Sequence, residues 1–173
     1  VECPNAFATY RTDHNIPLGI VKERYTPVQN TEAFTFFDGA IGKDKAIWQT
    51  AGFFGMGERI FVSAKLPKNI LVNGDPVENY LVFTTSHDGS SGVKILFTPI
   101  RVVCENTLNA AIATSTNYVS FRHTKSVHGN LDIAAEILGI CDNKIVALQE
   151  SFNAMKKIQM SDEKAQQIFA NVI

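Results

Sequence analysis

Residues able to do chemistry are concentrated between Arg101 and Asn109. This stretch holds a cation, a thiol and side-chain amides, at Arg101, Cys104, Asn106 and Asn109. A guanidinium can bind an anion, and a thiol at a helix N-terminus can act as a nucleophile because its pKa is lowered there. No spacing in the stretch matches a recognised catalytic motif, so it indicates a site but no particular reaction.

A second group of candidates lies in the polar, glycine-rich segment 86–92. His87 and Asp88 offer an imidazole and a carboxylate, which could bind a metal or transfer a proton. Asp88-Gly89 is also an ordinary turn sequence, so a wide hairpin turn explains the same residues without any site. The sequence leaves both interpretations open.

The thiol of Cys104 has two interpretations as well. With His87 or His123 as its base it would be the nucleophile of a thiol-dependent hydrolase. However, Cys104 falls on one apolar helix stripe with Leu108 and Ile112. Because free cysteine is among the most buried residue types, this position favours a buried, inert thiol.

Basic residues flank the same stretch and are predicted to bind nucleic acid. They are Arg101, Arg122, His123 and Lys125. If two strand ends meet there, these cations and the free amides at the start of a helix would form one site for phosphate. The arginines could instead pair with nearby carboxylates such as Glu105.

The elements that position these residues are predicted from the spacing of apolar side chains. Ile100, Val102 and Val103 indicate the end of a buried strand, and from Cys104 the period becomes that of a helix, with almost no loop between. Asn30 is predicted to cap an earlier helix. Turns are expected at 3–5, 15–17, 55–58 and 73–76. Aromatic and β-branched residues predict a strand over 46–54, and period-2 patterns predict strands over 60–66, 80–85, 93–98 and 118–124.

Within the strand 60–66, Phe61 and Ser63 are predicted to lie on its more solvated face. From Asn130 onwards the pattern becomes helical. Apolar residues recur there at alternating steps of four and three, which predicts a stripe that packs on a partner helix or a sheet. The stripe comprises Ala134, Leu138, Cys141, Ile145, Leu148, Phe152 and Met155, and Ser161 begins a last helix.

The fold class predicted from this order is α+β. We expect an antiparallel, hairpin-rich sheet packed against helices, with a long C-terminal helical segment, because strands cluster before the long helices. The 173 residues fit a single domain spanning 1–173, which could be a trimmed part of a longer chain. Lys and Arg total 16 against 17 for Asp and Glu, which argues against binding of nucleic acid or anionic lipid over the whole surface.

The cysteine pattern and the absence of long apolar runs indicate a cytoplasmic protein. Three widely spaced cysteines, Cys3, Cys104 and Cys141, are interpreted as free thiols in a reducing compartment. No leader and no run long enough for a membrane helix is found. The sequence predicts no metal, no cofactor and no membrane partner. Phosphate-loop, dinucleotide, zinc-protease and nucleophile-elbow motifs are absent.

Five segments taken in order resemble one known family. They are Leu-Gly-Ile-Val at 18–21, the stretch 25–34, Ser-His-Asp-Gly-Ser at 86–90, Arg-Val-Val-Cys-Glu-Asn-Thr-Leu-Asn at 101–109 and Phe-Arg-His-Thr at 121–124. Together they are similar to the bacterial phage/plasmid-like protein family, a group defined by a domain of unknown function (DUF 932). The resemblance implies mobile-element biology in the bacterial cytoplasm, which makes DNA a more plausible partner. It brings no assigned activity and no catalytic residues.

Three hypotheses follow. The first is a nucleic-acid-associated binding module of a mobile element, for single- or double-stranded DNA, using the basic residues above. The second is a metal- or thiol-dependent hydrolase using His87, Cys104 and His123. The third is a scaffold that forms a homo-oligomer through the long helical stripe. Convergence of the side chains in one pocket, or in one open basic groove, discriminates between the first two.

Overall fold

Antiparallel strands form the central sheet in the computed structural model of the chain. The structure describes residues 4–41, 46–72, 74–115, 118–129, 149–155, 157 and 161–170. In chain order its strands and longer helices are β1 (Ala6–Arg11), β2 (Ile16–Lys22), α1 (Asn30–Ile41), β3 (Ile47–Phe54), β4 (Arg59–Lys65), β5 (Ile70–Val72), β6 (Asp75–Val77), β7 (Tyr80–Ser86), β8 (Val93–Thr98), α2 (Glu105–Thr114), β9 (Tyr118–Phe121) and α3 (Asp162–Ala170).

The main sheet has five strands in the order β3-β4-β7-β8-β9, and each neighbouring pair is antiparallel. Aromatic and β-branched residues dominate these strands, as suits a pleated and largely buried surface. The α+β fold class and the predicted strands at these positions are confirmed. The β1–β2 and β5–β6 hairpins form two further small sheets.

Helix α1 covers one face of the main sheet, which we call the α1 face. Ile60, Val62 and Phe83 point from this face, where they pack with Ala33 and Phe37 of α1. Both helix residues are fully buried. Full burial of a Phe side chain stabilises the fold by about 1.5–3 kcal/mol, so Phe37 anchors the helix and places its N-terminal turn beside the sheet.

Helix α2 covers the opposite face, which we call the α2 face. Phe61, Val82 and Leu96 point from this face and pack with Leu108 and Ala111 of α2. The prediction that Phe61 and Ser63 face solvent was therefore wrong, since both are buried. Residues far along the chain bury Phe61, so the period-2 pattern of β4 alone does not reveal its partners.

The junction between β8 and α2 differs from the prediction of a direct strand-to-helix transition. Strand β8 ends at Thr98, and residues 99–104 form a loop before α2 begins at Glu105. Pro99 has no amide hydrogen for the strand ladder. The Thr98 hydroxyl accepts a hydrogen bond from the Ile100 amide (3.1 Å), which turns the chain away from the sheet. Val102 is buried but Val103 is 54% exposed, so they do not end a strand.

The β1–β2 hairpin packs against loops at one end of the main sheet. The Thr9 hydroxyl donates to the carbonyl of His87 (2.7 Å), and the guanidinium of Arg11 donates to the carbonyl of Met56 (2.9 Å). Asn15, at the end of the hairpin turn, has φ +53°, a conformation that Asn tolerates better than most residues. The predicted 15–17 turn lies slightly earlier, since Ile16 and Pro17 belong to β2.

No long C-terminal helix is seen among the described residues. Residues 127–129 and 149–155 are helical, and α3 adds nine more residues. The predicted stripe from Ala134 to Leu148 lies outside the described residues. Its last two members are described: Phe152 is half-buried and Met155 is 62% exposed.

Candidate functional site

A cleft of about 660 Å³ lies between the β1–β2 hairpin, the N-terminal turn of α1 and strand β3. It lies on the side of the sheet that α1 covers, since Asn30, Thr31 and Phe34 of α1 line it. Clefts of this size, lined by apolar and aromatic groups with a few polar ones, are typical binding sites. The residues that matter for its chemistry are Tyr10, Arg11, Asp13, Asn30, Phe34, Phe53 and His87.

Aromatic rings provide the apolar surface of the cleft. Phe53 and Tyr10 are 53% and 52% exposed, and Phe34 is 37% exposed. The guanidinium carbon of Arg11 lies 4.8 Å from the centre of the Phe53 ring. Contact of these apolar rings with water is unfavourable. A flat apolar ligand that stacked on them would bury part of their surface and so gain free energy.

Arg11 is held in place by a carboxylate as well as by the Phe53 ring. Its Nε donates to Asp13 Oδ1 (2.9 Å) and its Nη2 donates to Asp13 Oδ2 (3.0 Å). The hydrogen bond from Arg11 lowers the pKa of Asp13. These two residues are the only Arg, Lys, Asp or Glu side chains in the described lining, so their charges balance and the cleft has no excess positive charge.

His87 also lines the cleft. Its Nε2 lies 2.9 Å from Oδ1 of Asn30, and its backbone amide donates to the backbone carbonyl of Glu58 (2.6 Å). Burial lowers the pKa of His87, and the nearby His123 lowers it further. The imidazole is therefore neutral at pH 7, with its Nε2 proton directed at the Asn30 oxygen.

Asp88 serves the turn that the sequence suggested. One of its carboxylate oxygens accepts a hydrogen bond from the Ser90 amide (2.9 Å). The turn interpretation therefore describes Asp88, whereas His87 lines the cleft and its predicted chemical role stays a prediction.

His123 lies inside the protein and is not available to contact a nucleic-acid backbone from the surface. It is 7% exposed, with Nε2 3.0 Å from the Thr85 hydroxyl and Nδ1 3.1 Å from the Thr26 carbonyl. The Tyr25 ring stacks on it. Burial lowers the pKa of His123, so it is neutral at pH 7.

The four predicted nucleic-acid contacts do not form one patch. Strands β8 and β9 are antiparallel, with Val93 opposite Phe121 and Leu96 opposite Tyr118. Arg101 follows the end of β8 and Arg122 follows the end of β9, so they lie at opposite ends of the strand pair. Arg101, Arg122 and Lys125 are each exposed. The prediction of a shared site was wrong in its geometry because it required the two strand ends to meet.

Cys104 is exposed at the N-cap of α2, so the prediction of a buried thiol was wrong. The helix begins one residue later than the apolar spacing suggested, which leaves Cys104 outside the buried stripe. Its Sγ lies 3.4 Å from the Thr107 hydroxyl, and this hydrogen bond lowers the pKa of the thiol. Asn106 and Asn109 are exposed on the same helix.

The proposed hydrolase residues are divided between the two sides of the sheet. His123 bonds to Thr85, which is opposite Ile60 in the sheet register and therefore on the α1 face. Cys104 caps the helix that covers the α2 face. Within the described residues, no three His, Cys, Asp or Glu side chains lie together as a metal site would require.

Sequence reasoning missed the cleft, whose main residues are Tyr10, Arg11, Phe34 and Phe53. A hairpin signal in the first residues could have been recognised. There, Phe7, Thr9 and Arg11 alternate with small or aromatic residues, and a polar turn follows. Nothing in the local pattern connects that hairpin with α1 or with β3.

The fold and the cleft define a class of protein, an α+β domain with an aromatic, charge-balanced cleft. The chain belongs to the family described as Domain of unknown function (DUF932), which matches residues 17–173. No curated protein and no solved structure matches the chain. None of the helices formed by the described residues combines the length and apolar character needed to cross a bilayer.

Proposed function

We propose that this domain binds single-stranded nucleic acid in the aromatic cleft and serves as a nucleic-acid-associated module of a phage- or plasmid-like mobile element in the bacterial cytoplasm. The observation that carries the proposal is the pairing of Arg11 with Phe53 in a cleft that also exposes Tyr10 and Phe34. The mobile-element setting rests on the sequence resemblance.

Stacking explains why such a cleft suits bases. Every nucleobase has a flat π-face, and stacking on an aromatic side chain contributes about 1–3 kcal/mol per base. Arg11 lies over Phe53, and its hydrogen bonds to Asp13 and Met56 fix its orientation. Because the bases of a duplex are already stacked on one another, this surface favours a single strand over a duplex.

Polar groups at the cleft can read base edges. The Oδ1 atom of Asn30 is paired with His87, whereas its amide nitrogen has no hydrogen-bond partner among the described residues. An amide nitrogen can donate to a base carbonyl or ring nitrogen. The neutral His87 ring holds the Asn30 amide in one orientation, which favours a fixed contact.

When bases stack in the cleft, the affinity should depend less on salt concentration than it does for a protein that binds phosphates through a basic patch. The lining has one arginine, and a carboxylate balances its charge. Few counterions are released when a base enters such a site, so the salt dependence is shallow. The exposed Arg101, Arg122 and Lys125 remain candidates for separate phosphate contacts outside the cleft.

The other two hypotheses have weaker support. A thiol hydrolase needs Cys104 beside a histidine, and the sheet separates Cys104 from His123. A scaffold needs an exposed apolar stripe, most of which lies outside the described residues. The binding module is therefore the function that the geometry supports best.

The test is binding of a fluorescently labelled oligothymidine, measured by anisotropy across a salt series. We expect saturable binding that Tyr10→Leu or Phe53→Leu weakens by about fivefold to a hundredfold. Tyr118→Leu is the matched control, since Tyr118 is as exposed as Tyr10 (50% against 52%) but lies on β9, away from the cleft. Absence of binding by the wild type, or equal losses in the Tyr10 and Tyr118 variants, would contradict the proposal.

A further inference from the structure

A smaller pocket of about 180 Å³ lies on the α2 face, between the sheet and helix α2. It is separate from the aromatic cleft, which lies towards α1. Arg59 of β4, Thr84 of β7 and Lys94 of β8 form its floor, and Asn109 of α2 forms part of its wall. In the sheet register Thr84 is opposite Lys94 of β8 and Phe61 of β4, and Arg59 precedes Phe61 by two residues, so Lys94 and Arg59 both lie on the α2 face.

Charge in this pocket is unbalanced. Lys94 is half-buried and forms no ion pair with any described residue. Arg59 pairs with Glu105 at 3.4 Å, and the Glu105 side chain is 55% exposed at the rim. The pocket thus has two cations, and one carboxylate at its rim pairs with only one of them. An anion bound between Lys94 and Arg59 would supply the counter-charge that Lys94 lacks among the described residues.

The donors suit a tetrahedral oxyanion. An ammonium offers three hydrogen-bond donors and a guanidinium offers a planar fork, while the amide of Asn109 adds another. The Thr84 hydroxyl is already used, because it donates to the Ile60 carbonyl (2.8 Å).

We propose that the pocket formed by Arg59, Lys94 and Asn109 binds a phosphate group. Its volume admits one such group but not a whole nucleotide, so the ligand is recognised by its phosphate alone. The site lies on the opposite side of the sheet from the aromatic cleft and does not depend on base binding there.

The experiment is a titration of the wild-type protein with inorganic phosphate at pH 7, followed through the backbone amide shifts of Lys94, Thr84 and Asn109. Lys94→Met should weaken phosphate binding by about tenfold to a hundredfold, because a charge-assisted hydrogen bond is lost. Lys94→Arg should retain most of the affinity. Lys22→Met, a change of the same kind at an exposed lysine of β2, should have no effect.

The Glu105→Gln variant should have the opposite effect on phosphate affinity. Removing the carboxylate that competes for Arg59 should tighten phosphate binding by up to about fivefold. If wild-type amide shifts do not respond to phosphate, or if Lys94→Met and Lys22→Met bind phosphate equally, the proposal is wrong. Unaltered thermal unfolding of the variants verifies that they are folded.

Measuring oligothymidine binding by the same variants identifies the kind of molecule that carries the bound phosphate. If it belongs to the nucleic-acid backbone, Lys94→Met also weakens oligothymidine binding and reduces the salt slope by about one. If it is a free phosphate compound, oligothymidine binding is unchanged while phosphate binding is lost. Failure of oligothymidine binding in the wild type, with phosphate binding intact, would reject the cleft and retain this site.

Discussion

The ring of Tyr25 stacks on the ring of His123, with centroids 4.6 Å apart and planes inclined by 24°. Tyr25 also donates a hydrogen bond to the Ser86 carbonyl (2.6 Å), and burial raises the pKa of its hydroxyl. His123 connects the Thr26 carbonyl with the Thr85 hydroxyl. This stack therefore fastens the segment before α1 to the end of β7, directly behind His87 of the cleft.

Stability should fall as the pH drops below about 6.5. Burial lowers the pKa values of His87 and His123 from their ordinary 6.5 in the folded protein. Between the folded and unfolded pKa values the unfolded chain binds more protons, so the free energy of unfolding decreases with falling pH. Urea denaturation between pH 5.5 and 7.5 measures this slope, and His123→Gln should flatten it. A slope of opposite sign would contradict the assignment.

Removing the main anchor of α1 should be costly. Phe37→Ala empties a fully buried position and is expected to lower the free energy of unfolding by about 3–5 kcal/mol. Phe34→Ala, one turn earlier on the same helix and 37% exposed, should cost much less. Urea unfolding of both variants checks the difference. Equal losses would mean that α1 does not pack through Phe37.

Gly19 controls how closely the hairpin approaches the 86–92 loop. A Cβ at this position would lie 2.6 Å from the Cα of Asp88, closer than atoms pack, so Gly19→Ala should push β2 away from the loop. We expect weaker oligothymidine binding, because His87 and the hairpin both line the cleft. Gly129→Ala is the control, since no described atom lies within 4 Å of its added Cβ. Unchanged binding in Gly19→Ala would contradict this coupling.

The thiol of Cys104 should be more reactive than an ordinary cysteine at neutral pH. Hydrogen bonding between its thiol and the Thr107 hydroxyl lowers its pKa, and the thiolate is the reactive form. The measurement is the rate of alkylation by iodoacetamide at pH 7. Peptide mass spectrometry distinguishes the modification of Cys104 from that of the other two cysteines. Thr107→Val should slow the reaction, whereas Thr114→Val at the other end of α2 should not. Identical rates in both variants would exclude the Thr107 effect.

The strands were largely predictable because their pattern is local. In β7 and β8, apolar residues recur at short range, and the turn residues between strands are equally local signals. Asn30 likewise marked the start of α1. The buried state of Phe61 was not predictable, since it depends on Leu108 and Ala111, which lie more than forty positions later in the chain.

The candidate site was predictable only in part. His87 was identified from its residue type and setting, and it does line the cleft. Tyr10, Phe34 and Phe53 come from three separate elements, and no spacing in the sequence indicates that the hairpin packs over the end of the sheet. The predicted basic patch failed for a related reason, because side-chain composition does not reveal the relative direction of two strands.

The β1–β2 hairpin shares no backbone ladder with the five-stranded sheet in the described part of the chain. It is held by side-chain contacts such as that of Thr9 with His87, so it can open locally while the core stays folded. A ligand can then enter the cleft when the β1–β2 hairpin alone moves. A ligand bound there would protect the hairpin amides from hydrogen exchange and leave the exchange of β7 unchanged.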